Sequence, residues 1–113
     1  MAAVLIIDPD PATRSLLELV IERLGHRPIG SRAWLDGDEP DLVLLEPVSR
    51  PGVRLVRGLR RRLPHVPVLC VSIDGPNGES LSLEPVAHVM KPFRRSQLER
   101  AVEEALVASA DVV

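Results

Sequence analysis

Two unbroken runs of apolar residues constrain the fold of this chain more than any other feature of the sequence. Residues 4–7 read VLII and residues 42–45 read LVLL, with no polar position in either run. Strands covered by helices on both faces have this composition, because neither face needs polar side chains. The two runs therefore predict buried strands of a parallel sheet.

Segments with helical periodicity lie between the apolar runs. Asp10 and Pro11 are typical of an N-cap and a first helical residue, and they predict a helix that continues to about Leu24 and ends at Gly25. Two more helices are predicted over residues 52–63 and 94–108. The side chains expected to face the core are Leu16, Leu17, Val20, Ile21 and Leu24, then Val53, Leu55, Val56, Leu59 and Leu63, then Leu98, Ala101, Val102, Ala105 and Leu106.

The remaining elements are shorter. Three further strands are predicted over residues 26–31, 66–72 and 86–90, with Cys70 and Met90 in the core. Residues 32–40 leave room for one or two helical turns, and the Gly75–Gly78 break leaves residues 79–84 for a short fourth helix. Five strands joined by crossovers predict an α/β, doubly wound parallel sheet, formed as one domain over residues 1–113.

Composition excludes several classes of function. A net charge of −2 argues against a dedicated nucleic-acid binder, and no apolar run approaches the length needed to cross a membrane. Cys70 is the one cysteine, so no internal disulfide forms, which fits a reducing cytoplasm. Lys91 is the one lysine among 14 basic residues, and we give it more functional weight than any arginine.

Polar residues follow the predicted strands at the points where those strands end. Asp8 follows the first strand, Glu46 the third and Lys91 the fifth, while Ser72 ends the fourth. Since the carboxyl ends of parallel strands meet at one edge of the sheet, these side chains are expected to converge. Such a set can hold a cation or anchor a phosphoryl group through charge-assisted hydrogen bonds.

Four motifs in this order resemble the receiver domain of bacterial two-component response regulators. They read VLIID at residues 4–8, PDLVLLE at 40–46, PVLCVS at 67–72 and MKPF at 90–93. The resemblance covers nearly the whole chain and implies the strand order 2-1-3-4-5 of a flavodoxin-like fold. It also implies a phosphoacceptor aspartate after the third strand, which a histidine kinase phosphorylates, and Mg²⁺ held by two acids after the first strand.

Carried over position by position, the resemblance assigns part of that machinery. Asp8 matches the first acid, Ser72 the hydroxyl that contacts the phosphoryl group, and Lys91 the lysine that pairs with it. Pro9 stands where the second acid is expected, and Glu46 stands at the phosphoacceptor position. The resemblance therefore implies a degenerate phosphorylation site.

Other family positions also depart from the pattern. His88 occupies the aromatic switch position, and Ile73 replaces the small residue that admits the phosphoryl donor. The second and fourth helices are shortened relative to the family. The resemblance further implies a cis bond between Lys91 and Pro92.

These departures predict lost chemistry. Glu46 carries its carboxylate one methylene outward, and phosphoryl transfer tolerates little displacement of the attacking oxygen. That carboxylate is expected instead near Lys91 and Ser72, roughly where a phosphoryl oxygen would lie. Asp8 is either a residual Mg²⁺ ligand or a hydrogen-bonding partner of Lys91, and no cofactor is expected. Asp10 is either a third acid or an N-cap.

The expected function is that of a phosphorylation-independent protein-interaction module in bacterial signal transduction, not an enzyme. An alternative is a receiver that still accepts phosphate poorly. The expected partner is a protein, or a second copy of the chain, bound at the face of the fourth helix, fifth strand and last helix. The contact residues predicted for that face are Val86, Val89, Arg94, Arg95 and Glu99.

Two interpretations that belong to other classes of function stay open. The Asp8-Pro9-Asp10 run resembles the paired aspartates of haloacid-dehalogenase-type phosphatases, although Ala12 stands where that motif has Thr or Val. Arg54, Arg57 and Arg61 form a helical stripe flanked by further arginines, which is either a solvated face or a surface for an acidic partner or nucleic acid. Trp34 is either an exposed hot spot or a lid over the sheet edge.

Overall fold

Five strands alternate with five helices in the computed structural model, which describes residues 1–110. The strands are β1 (Ala3–Ile7), β2 (Arg27–Ile29), β3 (Leu42–Leu45), β4 (Val68–Ser72) and β5 (Ala87–Met90). The helices are α1 (Pro11–Arg23), α2 (Ser31–Leu35), α3 (Arg50–Arg62), α4 (Gly78–Leu81) and α5 (Arg95–Ala110). The predicted elements are present in the predicted order. Helix α2 is as short as expected, and α4 has four residues where residues 79–84 were predicted.

The strands form one parallel sheet in the order β2-β1-β3-β4-β5. This confirms the doubly wound fold and the order that the family resemblance implied. Helices cover both faces of the sheet, so the core has two layers. Trp34 and the α3 residues Val53 and Val56 belong to one layer, and Leu17 of α1 and Leu98 of α5 belong to the other.

Local signals at the ends of α1 act as predicted. Asp10 is the N-cap, and its carboxylate accepts a hydrogen bond from the backbone N–H of Thr13 at 3.1 Å. Hydrogen bonds from the Thr13 side chain and backbone lower the pKa of Asp10. Gly25 follows the C-cap with a left-handed φ of 85°, which glycine adopts without a steric cost.

Helix α3 packs closely against the end of β1 at Gly52. A β-carbon at this position would lie 2.7 Å from Cγ2 of Ile7, so only glycine fits without displacement of the Ile7 side chain. The helix begins at Arg50, two residues before the predicted start, because Ser49 caps it by accepting a hydrogen bond from the Gly52 N–H. The first turn of α3 therefore sits beside the carboxyl edge of the sheet.

Two residues predicted for the core are exposed. Leu16 is 47% exposed, because the buried stripe of α1 is narrower than the helical pattern suggested and contains Leu17, Val20 and Ile21. Met90 is 43% exposed, because β5 is an edge strand and the four residues of α4 do not cover it. Cys70 is buried as predicted.

Trp34 is buried and packs into the layer that contains α3. The guanidinium of Arg62 lies 4.9 Å from the centre of its ring, within the range of a cation–π contact. Trp34 is therefore a lid over the sheet edge and not an exposed hot spot. Over residues 1–110, none of the helices combines the length and the apolar character that a membrane span requires.

Candidate functional site

The register of the sheet brings four polar residues together at its carboxyl edge. Ile7 of β1 pairs with Leu45 of β3, which in turn pairs with Cys70 of β4, so Asp8 and Glu46 begin their loops at the same level. Ser72 of β4 pairs with Met90 of β5, which places Lys91 directly beyond it. Parallel pairing thus assembles Asp8, Glu46, Ser72 and Lys91 from four separate strands.

Lys91 lies at the centre of this cluster. Its Nζ donates a 2.8 Å hydrogen bond to Asp8 Oδ2 and lies 3.0 Å from Glu46 Oε2. The side chains of Lys91, Asp8 and Glu46 are 14%, 1% and 5% exposed, so two nearly buried carboxylates share one cation. Buried charges require such pairing, because each has lost its hydration.

The carboxylate of Glu46 is held on both sides. Its Oε1 accepts hydrogen bonds from the hydroxyl of Ser72 at 3.0 Å and from the backbone N–H of Val48 at 3.2 Å. Its Oε2 is buried and contacts Lys91 at an ion-pair distance without the angle of a hydrogen bond. The carboxylate of Glu46 therefore contacts both the hydroxyl of Ser72 and the ammonium group of Lys91.

The pKa of Lys91 reflects two opposing effects. Burial acts to lower this pKa, but the hydrogen bond to Asp8, the close contact with Glu46 and the negative charges of both carboxylates outweigh burial and raise it. Lys91 is therefore charged at neutral pH. Behind the cluster, burial and the charge of Glu46 raise the pKa of the Cys70 thiol to about 11, so this cysteine is not a nucleophile at neutral pH.

Other predicted site residues lie outside the cluster. Pro9 is exposed and supplies no carboxylate. Asp10 accepts a hydrogen bond from Thr13 and is therefore a helix cap, not a third acid of the site. The phosphatase-like pair of aspartates thus lacks its second member. His88 is half-buried on β5, where Nε2 lies 3.3 Å from the hydroxyl of Ser80.

The oxygen atoms present do not fit the Mg²⁺ that the family resemblance implies. Asp8 Oδ1 accepts from the backbone N–H of Asp10 at 2.9 Å, and Oδ2 is bound by Lys91. A hard cation needs several oxygen ligands, and Pro9 contributes none. Within the described part of the chain, no three acidic, histidine or cysteine side chains are arranged to hold a metal ion.

The cluster opens on a small cavity of about 210 Å³. Its lining is largely acidic, but Val48 and Ile73 also line it and are 65% and 72% exposed, so two apolar side chains stand at its rim. Sequence reasoning placed Ile73 here but missed Val48. The sequence gives no sign that Val48 is exposed, because its exposure depends on how the loop after Glu46 folds.

The predicted partner-binding residues are only partly brought to the surface. Val86 is 51% exposed, and Arg94 and Arg95 are exposed at the start of α5. Arg95 Nε lies 3.8 Å from Glu99 in an exposed ion pair. Val89 is 3% exposed, so its prediction as a contact residue is wrong: alternation along β5 turns Val89 into the core beneath α5.

No protein-family model matches the sequence, and no curated protein matches it. Solved structures match it in three dimensions. A CheY-like response regulator receiver domain protein from Methanospirillum hungatei is 18% identical, with a TM-score of 0.87 over 100% of this chain and 99% of that one. The receiver domain of a sensor histidine kinase from Pseudomonas aeruginosa, which has a magnesium ion in its active-site cleft, is 17% identical, with a TM-score of 0.75 over 93% and 97% of the two chains.

A third similar structure belongs to a larger protein. NtrX from Brucella abortus, in complex with ADP, is 24% identical, with a TM-score of 0.83 over 96% of this chain and 27% of NtrX. The chain therefore spans about a quarter of the length of that protein. Sheet order, helix placement and full-length superposition agree, and the chain has the fold of response regulator receiver domains.

Proposed function

We propose that this chain is a cytoplasmic receiver-like signalling module that has lost phosphorylation and acts by binding a protein partner, without enzymatic activity. The observation that carries the proposal is the state of Glu46. Its carboxylate contacts both Ser72 and Lys91, the two groups that the family resemblance assigns to the phosphoryl group. A carboxylate of the protein itself thus makes the contacts that the resemblance assigns to a phosphoryl group.

The lost metal ligand supports the same proposal. Phosphoryl transfer needs a divalent cation to neutralise the transferring group and an oxygen in line with the donor. Pro9 offers no ligand, and both oxygens of Asp8 are engaged within the protein. A cation would have to share Asp8 Oδ2 with the ammonium group of Lys91, whose positive charge repels it.

The position of Ile73 adds a steric argument. Its side chain is 72% exposed at the rim of the cavity over Glu46 and Lys91. A phosphoryl donor approaching Glu46 would pass this side chain and that of Val48, which also lines the cavity. The bulk of these side chains and the negative charges of Asp10 and Asp74, which line the same cavity, disfavour entry of a phosphate-bearing donor.

The partner surface that we propose is the edge formed by α4, β5 and the start of α5. Leu81, Val86 and Met90 are exposed along it, at 55%, 51% and 43%. Arg94 and Arg95 are exposed at the start of α5, shortly after Met90. An apolar centre with a charged rim is typical of a protein-binding surface.

Titration with beryllofluoride and Mg²⁺, a phosphoryl mimic, tests the loss of phosphorylation. We expect no change in the backbone amide NMR signals of Asp8, Glu46, Ser72 or Lys91 in the native protein. Saturable, Mg²⁺-dependent shifts at these amides would contradict the proposal and favour a receiver that accepts phosphate poorly.

A further inference from the structure

A second concave site lies away from the phosphorylation cluster, between the end of α3 and the residues that precede β5. It is a cavity of about 570 Å³, and its basic wall is formed by Arg57, Arg60 and Arg61. Ser82, Leu83 and Glu84 form the opposite wall. The four-residue α4 ends at Leu81, directly before this wall.

We propose that this cavity binds a phosphate group, either as a free inorganic anion or carried by a small organic molecule. Three arginines line one concavity, and none of their guanidinium groups has a carboxylate within ion-pair distance among residues 1–110. A guanidinium presents a planar fork of donors that matches phosphate oxygens. The cavity therefore offers donors of the kind that a phosphate group needs.

Two of the three arginines are already positioned by the opposite wall. Arg57 Nη2 lies 3.1 Å from the hydroxyl of Ser82, and Arg60 Nη2 lies 3.2 Å from the backbone carbonyl of Glu84. Each contact uses one of the five N–H donors that a guanidinium carries. The Nε of Arg60 is buried and has no hydrogen-bond partner among the described residues. The groups are thus held in place with donors to spare.

A purely structural explanation covers only part of this arrangement. Arg60, Arg61 and Arg62 lie in the last turn of α3, where cations offset the helix dipole. That effect does not explain Arg57, which lies one turn earlier and also lines the cavity. It also does not explain why α3 contains six arginines and no acidic residue, since like charges on neighbouring turns destabilise a helix.

The shape of the site favours a small ligand over a nucleic acid or an acidic peptide. Its volume lies within the range of small-molecule pockets. Proteins that bind single-stranded nucleic acid stack the bases on aromatic side chains. The chain has only Trp34, which is buried, and Phe93, which packs in the opposite layer of the core.

Calorimetric titration with inorganic pyrophosphate at about 0.15 M salt tests the proposal, since this ionic strength screens diffuse attraction. Arg57→Gln and Arg61→Gln are expected to weaken binding roughly tenfold each, as the loss of a charge-assisted hydrogen bond predicts. The matched control is Arg54→Gln, because Arg54 is an exposed arginine of the same helix that does not line the cavity. The affinity of this variant for pyrophosphate should stay within about twofold of that of the native protein.

A gain of affinity is the second test, and misfolding cannot produce it. Glu84→Gln removes the acidic side chain among the cavity-lining residues and should strengthen pyrophosphate binding severalfold. Equal losses in the Arg54, Arg57 and Arg61 variants would overturn the proposal, and so would no binding of pyrophosphate. Binding of an RNA oligonucleotide or a polyglutamate peptide without binding of pyrophosphate would overturn it too.

Parallel titrations with inorganic phosphate and a nucleoside monophosphate distinguish the source of the phosphate group. Tighter binding of the monophosphate would support the proposal with an organic ester as the ligand, in contact with Pro64 beside the arginines. Equal affinity would support it with a free inorganic ligand. The beryllofluoride experiment concerns different residues, so either proposal can fail without the other.

Discussion

Lys91 donates a 2.8 Å hydrogen bond to Asp8, a residue 83 positions away along the chain. The two residues follow β5 and β1, which are separated in the sheet by β3 and β4. The lysine side chain therefore reaches across two strands and passes Glu46, which it also contacts at 3.0 Å. This bridge replaces the phosphoryl group as the link between the strand ends in our account.

Removal of this bridge should destabilise the fold. Lys91→Met leaves two nearly buried carboxylates without a cation. We expect the free energy of unfolding to fall by about 3 kcal/mol. This value is at the lower end for a buried ion pair, because the cavity beside the cluster admits water. Urea denaturation measures this loss. The control is Arg95→Met, which breaks an exposed pair with Glu99 and should cost less than about 0.5 kcal/mol. Equal denaturation midpoints for native and Lys91→Met proteins would mean that the lysine is merely solvated.

Alkaline pH should weaken the same bridge. The folded pKa of Lys91 is raised, so its contribution is fully present below the unfolded pKa of about 10.4 and is lost as pH rises through the folded value. The stability gap between the native protein and Lys91→Met should therefore close above about pH 10.4. A gap that stays constant through this range would contradict the assignment.

The partner surface can be tested while the local ion pair is kept. Arg95→Glu combined with Glu99→Arg exchanges the two charges at i and i+4, and Val86→Asp places a charge in the apolar centre. Both variants should weaken capture of the protein partner by at least about tenfold if this edge is the interface. Charge reversals at Arg54 and Arg57 should leave capture unchanged. The opposite pattern would assign the interface to the arginine stripe of α3.

Restoring the family residues should restore part of the chemistry. Glu46→Asp withdraws the carboxylate from Ser72 and Lys91, and Pro9→Asp supplies the missing oxygen ligand. We expect the double variant to take up phosphate from an acyl phosphate with Mg²⁺, as measured by intact mass, while each single variant takes up less. A double variant that stays inert would indicate that Ile73 and the short loops block the reaction, and adding Ile73→Ala separates the two causes.

The site was predictable from sequence because it depends on strand order. Parallel strands end at one edge, so the residues after them meet even when they are far apart in the chain. The approach of Lys91 to Asp8 and Glu46 follows from the receiver-like order of the motifs, and Asp10 as a helix cap follows from Pro11 after it.

The exposure of individual side chains and the shape of the cavities were not predictable from the sequence. Val86 and Val89 are both apolar residues of one predicted strand, yet the first is exposed and the second buried, because α4 is too short to cover the outer side of this edge. The cavity beside Arg57 depends on Glu84, which turns the chain with a left-handed φ of 51°. A glutamate gives no local signal for that turn, since glycine or asparagine is the usual residue there.

The most direct test of the account is intact-mass spectrometry of the native protein after incubation with an acyl phosphate and Mg²⁺. We predict no gain in mass, because Glu46 is engaged by Ser72 and Lys91 and no second acid holds the cation. The Glu46→Asp, Pro9→Asp protein in the same assay shows that the donor is active. A Mg²⁺-dependent gain of one phosphoryl group on the native chain, mapped by peptide analysis to the edge formed by Asp8 and Glu46, would contradict the account.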